Sequence, residues 1–178
     1  YRKICYFLGI MINEKGQRFL DEGKNFRNYT YAQYGRKVLE QPNHFAWQIF
    51  DSKVFDLLYE EYRFHDAHFV EAKTIDELIQ KMDGIDKIET KKIIEEFNNS
   101  VDTSTTFDPT ILDGKSTLGL DIKKSNWAQR IDKGPFKAFP VTGGITFTYG
   151  GLKINEQGSV LNNNNEPISG LYACGELV

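Results

Sequence analysis

At 178 residues, with 40% hydrophobic and 13% aromatic side chains, the chain is long enough to bury a core as one or two soluble domains. A formal net charge of −3, with Lys and Arg never clustered beyond pairs such as Lys91-Lys92 and Lys123-Lys124, gives nucleic acid no electrostatic footing. Two distant cysteines, Cys5 and Cys174, argue against metal or disulfide chemistry and for a reducing compartment, and no apolar run reaches the length of a membrane span.

In chain order, Ile4–Ile12 is apolar and rich in β-branched residues. A turn at 14–17 with Gly16 at positive φ, followed by Arg18–Asp21, predicts a β-hairpin. Tyr29–Glu40 carries helical spacing, and Pro42 stops it. Ala46–Phe50 reads as a short buried strand. Asp51-Ser52 is positioned to cap a helix with Val54, Leu57 and Leu58 on one face. Phe69-Val70 suggests a strand end. Thr74-Ile75-Asp76-Glu77 has the form of a capping box and predicts a short helix over Thr74–Met82. Ile85–Asn98 predicts a longer amphipathic helix with Ile88, Ile93, Ile94 and Phe97 on its apolar face.

Ser100–Ser116 is a polar loop, and Thr117–Arg130 is mixed, organised around Trp127. From Pro135 the composition shifts towards strands at Phe136–Phe139, Ile145–Tyr149, Leu152–Ile154, Val160-Leu161 and Leu171–Cys174, with a four-asparagine turn at Asn162–Asn165. The pattern is an α+β segment over 1–134 and a β-rich segment over 135–178, the second too small to fold alone. The chain opens at Tyr1-Arg2-Lys3 with no initiator Met and no signal pattern, and it closes on Leu177-Val178. Both ends read as positions inside a longer protein.

The glycine-bearing runs carry a resemblance. Thr148-Tyr149-Gly150-Gly151-Leu152-Lys153-Ile154 and Pro167-Ile168-Ser169-Gly170-Leu171-Tyr172-Ala173-Cys174-Gly175-Glu176 resemble the C-terminal flavin-binding part of the fumarate reductase and succinate dehydrogenase flavoprotein superfamily. Asn13–Glu22 resembles its N-x-x-G-x-R-F-x-x-E stretch in the substrate-capping domain. Phe26–Tyr31, Lys124–Ala128 and Phe139–Thr148 look like the tricarballylate dehydrogenase-like branch. A G-x-G-x-x-G fingerprint after a strand is absent. The resemblance therefore implies a capping domain (1–134) with a returning, truncated piece of the FAD-binding domain (135–178), inactive by itself.

The resemblance also implies roles. A cap-domain Arg shortly after the R-F-x-x-E stretch delivers a proton while the flavin delivers hydride, and Arg27 stands there, five residues after Glu22 where the usual spacing is four. Its planar fork suits carboxylates; the plainer reading is a surface ion pair with Asp21 or Glu22. Thr142, Thr146 and Thr148 are candidate substrate hydroxyls, or ordinary strand threonines. A His-His pair of fumarate reductases is replaced by Thr146-Phe147, which argues against fumarate as substrate. Tyr29, with Tyr31 and Tyr34, either walls a substrate cleft or packs a helix face. Gly150 and Gly151 either let the backbone approach the flavin or form a tight turn. Glu176 matches the acid that accepts from FAD hydroxyls, and without the resemblance is a surface carboxylate. His65 and His68, with Asp66 between them, are read as exposed rather than as a zinc pair.

The implied cofactor is FAD. The implied partners are a small carboxylate substrate and an unidentified electron-transfer partner. The expected setting is cytoplasmic or membrane-peripheral, with self-association through exposed strands. The alternatives are a ketosteroid- or urocanate-type flavoenzyme, or a non-redox ligand- or protein-binding α+β module, which would need the C-terminal segment to be well packed.

Overall fold

A computed structural model describes residues 2–145 and 150–178. It divides into two compact units, Tyr1–Gly143 and Gly144–Val178.

The first unit is built on four antiparallel strands: β1 (Ile10–Asn13), β2 (Phe45–Asp51), β3 (Val70–Ala72) and β4 (Phe136–Thr142), in the spatial order β1-β2-β4-β3. The two long central strands pair along their whole length, from Phe45 opposite Thr142 to Asp51 opposite Phe136. Side chains alternate across the sheet. Ile10, Ile12, Trp47, Ile49, Phe136 and Ala138 share one face with helices α2 (Ile75–Lys81) and α3 (Lys87–Ser100). Met11 and Ala46 point the other way, into a cluster with Tyr34 and Val38 of helix α1 (Arg27–Leu39). On that second face Phe50 and Phe139 meet Val54, Leu58 and Tyr62, which come from two short 3-10 helices at Ser52–Leu57 and Glu60–Tyr62. Covered on both faces, β1 is buried at all four positions.

The helices follow local chemistry. In α1, Thr30, Tyr34 and Val38 recur every four residues and form the buried stripe. Thr74 caps α2 by accepting from the Glu77 amide at 3.2 Å, as the capping-box pattern predicts. In α3, Asp86 caps by accepting from the Ile88 and Glu89 amides, so the helix starts two residues later than expected. Its buried stripe is Thr90, Ile94 and Phe97. Ile88, expected on that stripe, falls outside its arc and is 85% exposed.

The predicted hairpin does not form. Gly16 does turn at φ 74°, and Asn13 accepts from the Gly16 amide at 3.0 Å. The strand that pairs with β1 is β2, with Ile10 opposite Ile49, and residues 18–21 form no strand. The reason lies in the side chains, because Arg18 and Glu22 turn into the interior. The expected helix after Asp51 is also corrected to 3-10 geometry, with Val54 and Leu58 buried and Leu57 exposed. Trp127 is the anchor of the irregular stretch before β4, 1% exposed and donating from Nε1 to the carbonyls of Asp108 and Ile111.

The second unit holds β5 (Ser159–Leu161) and β6 (Pro167–Tyr172), paired antiparallel. The asparagine turn joins them: the Asn162 side chain accepts from the Asn164 and Glu166 amides. Of the expected strand at 152–154, only Ile154 makes a bridge, to Val160. The last strand runs over 167–172 rather than 171–174, and every residue in it is exposed.

Candidate functional site

Arg27 is the first residue of α1 and half-buried. Its guanidinium carbon lies 4.4 Å from the centre of the Tyr59 ring, well within the reach of a cation–π contact. The two carboxylates nearest in sequence are engaged elsewhere. Asp21 accepts from the Ser125 amide at 2.9 Å and from its hydroxyl. Glu22 pairs with Arg18, Oε1 accepting from Nε at 3.1 Å, and also accepts from the Met11 amide at 2.9 Å. Among the described residues Arg27 makes no ion pair.

The groups around Arg27 do not neutralise it. Burial pushes the Cys5 thiol up to about 12 and the Tyr6 phenol up to about 12, against the opposing pull of the Arg27 charge on both. Both therefore stay uncharged at neutral pH.

The other expected substrate residues are not gathered there. Tyr29 is 77% exposed, two positions along α1 and so on a different side of the helix from Arg27. Tyr34 is a packing residue, buried with its hydroxyl bonded to the Asp21 carbonyl. Thr142 ends β4 and donates from Oγ1 to the His44 carbonyl at 2.7 Å. The next residue, Gly143, sits against Leu39 at the far end of α1. Twelve residues of helix at 1.5 Å each separate Leu39 from Arg27, so Thr142 and Arg27 lie about 18 Å apart along the helix. Thr146 and Thr148 lie outside the described residues. His65 and His68 are exposed, and among the described residues no group of three or more His, Cys, Asp or Glu side chains is arranged to hold a metal ion.

Within the second unit Gly151 lies against Leu177, the residue after Glu176. The Leu152 amide donates to the Leu177 carbonyl at 2.8 Å, and a Cβ on Gly151 would stand 2.2 Å from that same oxygen. Gly151 is therefore required by close backbone approach within the chain. Gly150, Gly170 and Gly175 have positive φ and open space where a Cβ would be, and Glu176 is exposed on the short helical turn Gly175–Leu177.

Sequence reasoning passed over a buried charged cluster. Arg18, Glu22 and Lys124 are 8%, 0% and 1% exposed. Burial works against the Arg18 charge, but the Glu22 carboxylate outweighs it and raises the pKa. Lys124 donates from Nζ to the Gly9 carbonyl at 2.6 Å, and burial pulls its pKa down to about 8. Nothing in a Lys-Lys pair signals such burial. Arg18 and Glu22 were legible only as members of a motif.

A family model described as "FAD binding domain" matches residues 8–178. The chain belongs to this family. Its relatives place it in the FAD-dependent fumarate reductase and succinate dehydrogenase flavoprotein superfamily, an oxidoreductase group whose cofactor is FAD. A probable fumarate reductase of Shewanella frigidimarina is 29% identical over 175 residues, covering 94% of this chain and 26% of that protein. The structure of the open conformation of a flavocytochrome c3 fumarate reductase matches 99% of this chain and 28% of its own, with a TM-score of 0.72 at 25% identity. A 3-ketosteroid delta1-dehydrogenase from Sterolibacterium denitrificans matches 95% of this chain and 33% of its own, with a TM-score of 0.60 at 25% identity. The FAD-binding match thus covers nearly the whole chain, while the chain spans only 26% of its fumarate reductase relative. Among the described residues no helix is long and apolar enough to cross a membrane.

Proposed function

We propose that this chain is the substrate-capping part of an FAD-dependent oxidoreductase that acts on a small carboxylate of the tricarballylate type. Residues 1–134 form the cap. Residues 135–178 form the returning piece of the flavin domain, whose first strand, β4, pairs into the cap's sheet. The observation that carries the reading is the Arg27 guanidinium, 4.4 Å from the centre of the Tyr59 ring and without a carboxylate partner among the described residues.

FAD, when bound, exchanges a hydride with the substrate carbon next to a carboxylate. Arg27 binds that carboxylate through its fork; in reduction its guanidinium gives carbon the proton that accompanies the hydride and is left neutral, and dehydrogenation runs the same transfer backwards from the neutral form. Glu176 accepts from FAD hydroxyls, beside backbone left open at Gly150 and Gly175. Thr142 lies too far along α1 to share a small tricarboxylate with Arg27, and Tyr29 stands on another side of the helix, so within the first unit the substrate contact rests on Arg27. The exposure of Leu152, Leu171, Tyr172 and Leu177 favours a flavin-domain piece that packs on further protein over a self-contained binding module. The two free cysteines, one of them exposed, suit a cytoplasmic setting, with a separate electron-transfer partner for the flavin.

The test is anaerobic flavin reduction by the full-length protein that carries this chain. Tricarballylate, succinate and a 3-ketosteroid are each offered as reductant. Bleaching of the flavin band by tricarballylate is expected, slowed about a hundredfold or more in Arg27→Ala, in line with loss of a transition-state charge contact. A protein that takes up no FAD, or that only the steroid reduces, overturns the reading.

A further inference from the structure

We propose that Tyr59 is the positioning residue of Arg27, its ring holding the guanidinium at the N-terminal end of α1 so that the in-plane N–H groups remain available to a substrate carboxylate. The inference rests on the role of Arg27 given above.

Tyr59 is well suited to the task because it is itself held. It lies between the two 3-10 helices, with Leu58 before it and Tyr62 after it buried in one cluster. Its amide donates to the Cys5 sulfur at 3.4 Å, and its carbonyl accepts from the Tyr62 amide at 3.0 Å. Tyr62 in turn donates from its hydroxyl to Gln48 on β2 at 2.6 Å and accepts from the Cys5 amide at 2.9 Å. The Tyr59 backbone, from which the ring projects, is thus anchored through a short chain of hydrogen bonds to a central strand of the sheet.

A free arginine samples many rotamers and must be ordered when it binds. Stacking on a fixed ring removes part of that cost in advance. A cation–π contact brings no hydrogen-bond acceptor to the guanidinium, so its N–H groups stay available for bidentate pairing. Asp21 and Glu22, which would otherwise compete for Arg27, are occupied by Ser125 and Arg18. A carboxylate in place of Tyr59 would hold Arg27 equally well and block the substrate, whereas an aromatic ring holds it without neutralising it.

The experiment uses the full-length flavoprotein. Calorimetric affinities for tricarballylate, succinate and fumarate are compared in wild type, Tyr59→Phe, Tyr59→Leu, Arg27→Ala and the Arg27→Ala/Tyr59→Leu double variant. Tyr59→Leu is expected to weaken carboxylate binding about five- to tenfold, and Tyr59→Phe less than about twofold. The double variant should bind no more weakly than Arg27→Ala alone, because Tyr59 acts through Arg27. If Tyr59→Leu fails to fold, a series of fluorinated phenylalanines at position 59 keeps the ring while draining charge from its face, and affinity should fall stepwise. Normal binding by Tyr59→Leu or by the fluorinated series, or a Tyr59→Leu loss that adds fully to that of Arg27→Ala, overturns the role of Tyr59 and leaves Arg27 standing. A wild type that binds none of the three carboxylates, or an Arg27→Ala variant that binds them normally, overturns the Arg27 reading and this inference together.

Discussion

Arg18 and Glu22 form an ion pair that solvent hardly reaches, their side chains 5% and 0% exposed. The pair explains why the segment after the Gly16 turn abandons the sheet. The Glu22 carboxylate also accepts from the Met11 amide, and Arg18 reaches across to the Ile122 carbonyl at 2.7 Å. Two residues of one family motif thus tie β1 to the irregular stretch before β4.

Removing one partner leaves a buried charge alone. Glu22→Ala should destabilise the protein by about 3–5 kcal/mol, read as a lower midpoint in urea. The double change Arg18→Met/Glu22→Leu should recover a large part of that loss, because the desolvation cost of both charges disappears together. A double variant less stable than Glu22→Ala would show that the pair contributes more than mutual neutralisation.

Lys124 makes a pH-dependent contribution whose sign is set by its burial. Its pKa falls from 10.5 unfolded to about 8 folded, so between those values the unfolded chain binds more protons than the folded one. Stability from this group is therefore fully present above pH 10.5 and is lost as the pH falls through 8. Burial raises Cys5 and Tyr6, and those acids act in the opposite direction, losing stability as the pH rises above about 9 and 10. The clean readout is the difference between wild type and Lys124→Met. Urea midpoints across pH 7 to 10.5 should show wild type gaining on the variant by up to about 3 kcal/mol, at 1.4 kcal/mol per pKa unit. Parallel curves would place the Lys124 pKa near its ordinary value.

Gly16 combines two requirements. Its φ is +74°, and a Cβ there would stand 2.6 Å from the Thr90 amide nitrogen and 2.8 Å from the Asp86 carbonyl oxygen at the start of α3. Gly84 shares the positive φ (+70°) but has open space where its Cβ would go. Gly84→Ala should cost about 1 kcal/mol from backbone strain, and Gly16→Ala about 2 kcal/mol or more because backbone atoms must also shift. Thermal midpoints of the two variants test this, and equal losses would remove the contact argument.

Local patterns carried the sequence reading where the physics is local. The helical spacing of α1, the Thr74 cap of α2, the Gly16 turn and the buried strand around Trp47 each depend on neighbours within a few positions, and each was legible. So was the family, because its motifs are short runs in a fixed order. Misreadings arose where a distant segment decided. The partner of β1 lies some thirty-five positions on, in β2; Ile88 is a local misreading, since it falls outside the arc of Thr90, Ile94 and Phe97.

The site divides the same way. Sequence determined that an arginine stands at residue 27 after a flavoprotein motif, and that a Gly-Glu pair follows a strand near the end. It could not determine that Asp21 and Glu22 are engaged elsewhere, that Tyr59 lies 4.4 Å from Arg27, or that Thr142 sits at the opposite end of α1. Those facts follow from which segments the sheet brings together. Contacts between residues far apart in the chain are selected by the total burial of apolar surface and the satisfaction of buried polar groups, and no short window of sequence contains either quantity.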